Sequence, residues 1–60
     1  MQIFIRATTT EGKIELFNTE RILTIQPKKN GTTKILMGAG LSWNVMTDSV
    51  YISMFPPELV

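Results

Sequence analysis

The sequence predicts an all-β protein, a small antiparallel meander of five or six strands that could be barrel-like. Apolar residues alternate with polar ones along most of the chain, and β-branched and aromatic residues are frequent in the alternating runs. Gly, Pro and Asn separate these runs, as expected of turns between strands. Composition does not shift along the chain, so residues 1–60 are expected to form a single small β domain.

Six runs with an alternating pattern are the candidate strands. A strand places successive side chains on opposite faces, so each run has an apolar side and a second, more polar side. One segment competes with this pattern, because Asn18 in NTERI could cap a single helical turn before Ile22. The runs are QIFIRAT, KIELF, RILTIQ, TKILM, LSWNVM and VYISM.

The first hairpin is predicted to turn through residues 8–12, with Ala7 opposite Ile14. The same register brings Phe4 opposite Phe17 on the second face of the sheet. Two aromatic rings on an outer face need cover, which the curling of the sheet or a partner chain would provide. Phe4 and Phe17 are therefore candidate residues for binding a partner.

The second hairpin is predicted around PKKNGTT. A two-residue Asn-Gly loop would mix polar and apolar residues on both faces of the strands. A three-residue loop over residues 29–31 instead places Ile25 opposite Ile35 on one apolar face. Such loops end in a left-handed residue, and Gly31 stands where that residue is needed.

The third hairpin is predicted to use GAG, residues 38–40, as another three-residue loop that ends in Gly. Met37 then faces Leu41, and Ile35 faces Trp43. The last two hairpins together give three strands with one shared apolar face. Its members are Leu23, Ile25, Ile35, Met37, Leu41, Trp43 and Val45.

The C-terminal segment, residues 48–55, is open between a strand and a short helix. The succession of Val50, Tyr51 and Ile52 favours the strand, and the two prolines at 56 and 57 end either one. Tyr51 alternates away from its apolar neighbours, which makes it a third candidate residue for binding a partner.

Size and composition limit the ways in which this chain can be stabilised. A 60-residue domain buries only about 60% of its unfolded surface, and such domains often need additional support. The chain has no Cys and no His, so disulfides are impossible and a structural zinc site is not expected. Association with another chain remains, and the net charge of +1 favours it. We therefore expect a homo-oligomer.

Catalysis finds no support in the sequence. His and Cys, which supply the commonest general base and a common nucleophile, are missing, and no two carboxylates form an evident acid/base or metal pair. We expect no enzyme, no catalytic residues, no metal and no cofactor. No apolar run could span a membrane and the N-terminus is not a signal peptide, so the expected location is cytoplasmic.

Lys28, Lys29 and Lys34 lie at or near the tip of the second hairpin, where they could contact the phosphates of a nucleic acid. The alternative is that these lysines keep an exposed turn hydrated. Cations and carboxylates are interleaved in the first third of the chain, and a dedicated nucleic-acid binder usually has a clear basic excess.

Residues 12–50 resemble the FlbD family of small motility-associated proteins, and more loosely the β-rich half of LytTR-type DNA-binding domains. The resemblance is carried by GKIELFN, TERILTI, TTKI, Gly40 and the pair Ser49-Val50. PKKNGTT is longer than the corresponding hairpin of the family, and SWNVMTD departs from its pattern. The resemblance implies a small, β-rich and non-enzymatic protein.

These observations together predict a non-enzymatic intracellular protein that self-associates and works as a binding, adaptor or regulatory module. The first alternative is a nucleic-acid-binding regulator that uses the basic hairpin tip. The second is an accessory subunit of a larger complex.

Overall fold

The structure, a computed structural model, describes residues 2–38 and 40–55, the last of these by its backbone only. Six strands and two short 3₁₀ turns follow one another along the chain. They are β1 (Gln2–Thr8), β2 (Ile14–Asn18), the first 3₁₀ turn (Thr19–Arg21), β3 (Thr24–Pro27), β4 (Thr32–Gly38), β5 (Leu41–Met46), the second 3₁₀ turn (Thr47–Ser49) and β6 (Tyr51–Phe55).

The strands form two antiparallel sheets of three. Sheet A has the order β2-β1-β6, and sheet B has the order β3-β4-β5. The all-β prediction is confirmed, and over the described residues the sheets do not close into a barrel. The open choice in the C-terminal segment is also decided. A 3₁₀ turn is followed by a strand in β6, and the prolines after it lie outside the described residues.

The predicted register of the second hairpin is confirmed. Ile25 pairs with Ile35, and the backbone N–H of Lys28 donates to the carbonyl of Thr32 at 2.8 Å. Gly31 has φ +83°, the left-handed conformation that a three-residue loop requires at its last position.

The predicted register of the first hairpin is wrong by one residue. Thr8, not Ala7, pairs with Ile14. The loop contains three residues and ends at Gly12, with φ +88°, so that the N–H of Thr9 donates to the carbonyl of Lys13 at 2.7 Å. The first hairpin therefore uses the same loop design as the second.

The one-residue shift changes the position of both aromatic side chains in this hairpin. Phe17 pairs with Ile5 on the inner face, and Phe4 pairs with Asn18 on the outer face. The two phenylalanines thus lie on opposite faces of sheet A, because a slip of one residue turns every side chain of a strand over.

The third hairpin is partly as predicted. Ile35 pairs with Trp43, but Leu41 pairs with Gly38 and not with Met37, because the register shifts between Leu36 and Gly38. Gly40 has φ +74°. Ala39, the middle residue of the predicted loop, lies outside the described residues.

The core lies where the centres of the two sheets meet. Its buried apolar residues are Ala7 and Phe17 from sheet A and Ile35 and Val45 from sheet B. Beyond Thr8, the chain continues from sheet A onto the edge of β5. Thr9 bridges to Val45, and the N–H of Thr10 donates to the carbonyl of Asn44 at 3.0 Å.

The two halves of the chain repeat the same arrangement. In each, a central strand (β1 or β4) forms a hairpin with the next strand, and a 3₁₀ turn leads to a third strand. The third strand of each half joins the sheet that is centred on the first strand of the other half, so β3 borders β4 and β6 borders β1. The turn sequences TERI and TDSV correspond, and so do the core pairs Ala7 and Ile35, and Phe17 and Val45.

Candidate interaction surfaces

The inner face of sheet A is covered only near its centre. Ile3 pairs with Met54, and Ile5 pairs with Ile52, so these four side chains form a row on the core-facing side of β1 and β6. Ile3 is 46% exposed, Met54 61% and Ile52 72%. We call Ile3, Ile52 and Met54 the β6 apolar patch.

Sheet B has a comparable uncovered area on its own inner face. Ile25 and Trp43 flank the buried Ile35, yet both are exposed. The ring of Trp43 packs edge-on against Phe17 with centroids 5.9 Å apart, so only part of the indole is shielded. The predicted apolar face therefore exists across β3, β4 and β5, but the protein covers only its middle.

The three predicted partner-binding residues have separate positions. Phe17 is buried in the core with 3% exposure, so the interpretation of this ring as a binding residue is not supported by its position. Phe4 is partly buried on the outer face of sheet A. Tyr51 is exposed on the same outer face, beside Arg6.

Sequence reasoning did not single out Ile52 and Met54 as candidate interaction residues. Their alternation within VYISM predicts that they share the apolar side of a strand, but it does not say whether the chain covers that side. Exposure on that side depends on how far sheet B extends over β6, which no local pattern reports.

The three candidate lysines share one region of sheet B. Lys34 lies at the centre of the outer face, between Gln26 on β3 and Asn44 on β5. Lys28 and Lys29 are exposed at the adjoining hairpin. Along β3, β4 and β5 the outer-face positions carry no carboxylate; they are Thr24, Gln26, Thr32, Lys34, Leu36, Ser42, Asn44 and Met46.

Shallow depressions adjoin these surfaces in the described part of the chain, one of about 210 Å³ beside Trp43 and one of about 260 Å³ beside Lys34. Both are smaller than the roughly 300 Å³ at which pockets for small ligands begin. Within residues 2–38 and 40–55, no cluster of three or more His, Cys, Asp or Glu side chains could hold a metal ion.

Neither helical segment of the described chain is long and apolar enough to cross a bilayer. Comparison with protein-family models, curated proteins and solved structures finds no match. The resemblance to the FlbD family therefore stays a prediction, and the functional argument depends on the surfaces themselves.

Proposed function

We propose that the protein is a small non-enzymatic binding module, an adaptor or regulator, that associates with a second copy of itself. The observation that carries the proposal is the incomplete cover of both inner faces. Four apolar side chains are buried in the described part of the chain, whereas twelve large apolar side chains are exposed.

Burial of an apolar side chain stabilises a protein by about 1.5–3 kcal/mol. Burying the exposed apolar residues in an interface would therefore add substantially to the stability of the folded chain. The composition offers no disulfide to replace it. A stable interface buries roughly 800 Å² on each partner, which is about a fifth of the 4401 Å² accessible surface of this chain.

A second copy is the occupant that the charges favour. The described strands have few charged side chains, and the net charge of +1 gives little repulsion between copies. An acidic or strongly basic partner would find no complementary field on the inner faces, where the exposed residues of β3, β5 and β6 are mainly apolar.

Sedimentation velocity over a wide concentration range tests this proposal. We expect a mass that is a multiple of 6.8 kDa and falls on dilution. The thermal unfolding midpoint should rise with protein concentration, since association stabilises only the folded chain. A constant mass of one chain with a concentration-independent midpoint would contradict the proposal.

The outer face of sheet B favours a second candidate function, binding of a nucleic-acid backbone. Lys34 lies among amide and hydroxyl side chains, and no strand position of that face carries a carboxylate. Lysine, amide and hydroxyl groups are the ones that contact phosphate. A fluorescent single-stranded oligonucleotide titrated at several salt concentrations tests it. Affinity should fall steeply with salt, because binding releases counterions.

Lys34→Gln and Lys13→Gln are a matched pair for this test. Both remove one positive charge, but Lys13 lies at the end of the first hairpin loop and not on a strand of sheet B. Lys34→Gln should weaken binding and reduce the salt slope by about one. Equal effects of the two substitutions would indicate non-specific attraction and reject the site.

A further inference from the structure

The described residues form four edge strands, two in each sheet, and three of these edges carry features that oppose pairing. An edge strand presents unpaired N–H and C=O groups, and charges, prolines or a covering segment protect it. In β2 the edge contains Glu15, and β3 ends in Pro27. The edge of β5 is partly occupied, since Thr9 and Thr10 bond to it.

In the part of the chain that the structure describes, the fourth edge, β6, has none of these features. Its five residues, Tyr51–Phe55, include no charged residue and no proline. β6 pairs with β1 on one side, and no described strand lies on its other side. It also carries two of the three side chains in the β6 apolar patch, so hydrogen-bonding groups and apolar surface are exposed on the same strand.

We propose that two copies of the protein pair β6 with β6 in antiparallel orientation, around a two-fold axis that passes through Ser53. The inference rests on the self-association proposed above and specifies its interface. Ser53 is the middle residue of β6, so an axis at this position pairs all five residues of each strand. The two copies of sheet A then form one six-stranded sheet.

The register makes the two strands complementary. With Ser53 opposite Ser53, the Ile52 side chain faces Met54 of the partner subunit, and both lie on the inner face. The row that starts at Ile3 and Met54 therefore continues across the axis into the partner subunit's Ile52. Any other centre within β6 leaves at least one residue of each strand without a partner residue.

A two-fold contact also gives a closed assembly. The same edge is used by both copies, so association stops at the dimer and β6 is no longer exposed. Pairing of β6 with a different edge, such as β3, would be head-to-tail and would not stop at a dimer unless it closed into a ring; otherwise it would extend into filaments. The absence of charge on β6 is tolerable in a protein that keeps this edge in a closed pair.

A single introduced cysteine tests the axis, because the chain contains no natural Cys. In Ser53→Cys the two Cα atoms lie directly opposite, roughly 4.5–5.5 Å apart, within the range that a disulfide spans. Mild oxidation should convert most of the protein to a covalent dimer. In Ile52→Cys the two Cα atoms would be about 8 Å apart, two residues out of register, and cross-linking should be much less. Ser42→Cys, on the β5 edge, controls for random collision.

Paired charges test the register independently. In the variant Ile52→Lys with Met54→Glu, each introduced ammonium group faces the partner subunit's carboxylate. In Ile52→Lys with Met54→Lys, like charges face each other. Both positions are more than half exposed in the single chain, so both variants should fold. We expect the dissociation constant of the Lys/Glu variant to be at least about tenfold lower than that of the Lys/Lys variant.

The outcomes separate this inference from the proposed function. A native protein that is monomeric at every concentration would reject both. A native dimer in which Ser53→Cys cross-links no better than Ser42→Cys, or in which the two charge variants dissociate equally, would keep self-association and reject the β6 axis. Preferential cross-linking at Ser53 together with the expected difference between charge variants would support the axis.

Discussion

Both halves of the molecule contain a similar 3₁₀ turn, here called a corner, but the edge strands that follow the two corners differ. The first corner, TERI, and the second, TDSV, are both single 3₁₀ turns. The N–H of Ile22 donates to Thr19 at 3.4 Å, and the N–H of Val50 donates to Thr47 at 3.3 Å. The flanking backbone angles also agree within a few degrees. The difference between the halves arises after the corner.

After the first corner, Thr24 pairs with Leu36. The corresponding residues in the other half are Ile52 and Thr8. Ile52 does not pair with Thr8, however, but with Ile5, which lies three residues before Thr8 on β1. Since an odd shift exchanges the two faces of a strand, Ile52 lies on the inner face whereas Thr24 lies on the outer face. The β6 apolar patch is a consequence of this shift.

Ser49 lies next to the point where the registers diverge. Its Oγ accepts from the N–H of Thr8 at 2.8 Å and donates to the carbonyl of Met46 at 2.7 Å. The N–H of Thr8 thus donates to a side chain and not to a backbone carbonyl of β6. The pairing of β1 with β6 begins two residues before Thr8, at Arg6. The first corner has Arg21 at this position, and there β3 pairs up to Leu36. The hydrogen bonds of Ser49 are thus a local difference between the two corners that accompanies the shift of β6.

The largest effect should come from the core that the two halves share. Ile35 is 1% exposed at the contact of the sheets, so Ile35→Ala should lower the free energy of unfolding by about 2–5 kcal/mol, through lost burial and a cavity. Leu23→Ala is the control, because Leu23 is 65% exposed, and it should change stability by less than about 0.5 kcal/mol. Urea denaturation measures both, and similar losses would mean that the inner face is covered more evenly than the structure indicates.

Removal of Ser49 Oγ should have the next largest effect. Ser49→Ala leaves the half-buried N–H of Thr8 without its acceptor, at a cost of about 1–2 kcal/mol. The Thr8 amide should also exchange with solvent faster, which hydrogen-exchange NMR detects. The matched control is Arg21→Ala at the corresponding position, which is exposed and should be nearly neutral. Unchanged exchange at Thr8 would show that Ser49 does not set the register of β6.

Local sequence rules predicted the strands and the second hairpin because Gly31 fixes the length of its loop. The same rule applied at Gly12 gives a three-residue loop and the observed pairing of Thr9 with Lys13. The prediction failed there because the turn was started at Thr8, which placed Phe17 on the outer face. The exposure of Ile52 could not be predicted, since it depends on the pairing of β6 with β1, whose residues are far apart in the sequence.

Substitution of the glycines at the loop ends tests whether the first two hairpins share one loop design. Gly31→Ala should destabilise by about 1 kcal/mol, because an L residue is strained at positive φ. Gly12→Ala should cost a similar amount if the two hairpins share one loop design. A Cβ would have open space at both positions and also at Gly38, which does not have a positive φ, so Gly38→Ala isolates the conformational cost. Equal thermal midpoints for Gly31→Ala and Gly38→Ala would contradict this.

The smallest expected effect concerns the caps of the two corners. Asn18 caps the first 3₁₀ turn, since its Oδ1 accepts from the N–H of Glu20 at 2.9 Å, whereas Met46 at the second corner makes no such bond. Met46→Asn transfers the cap, and we expect a stabilisation of a few tenths of a kcal/mol, below the roughly 1 kcal/mol typical of longer helices. Met46→Gln has similar polarity but a longer side chain that fits the cap poorly, so it should not stabilise. If both substitutions raise the unfolding midpoint equally, loss of an exposed apolar side chain explains the gain, and the corners differ in more than their caps.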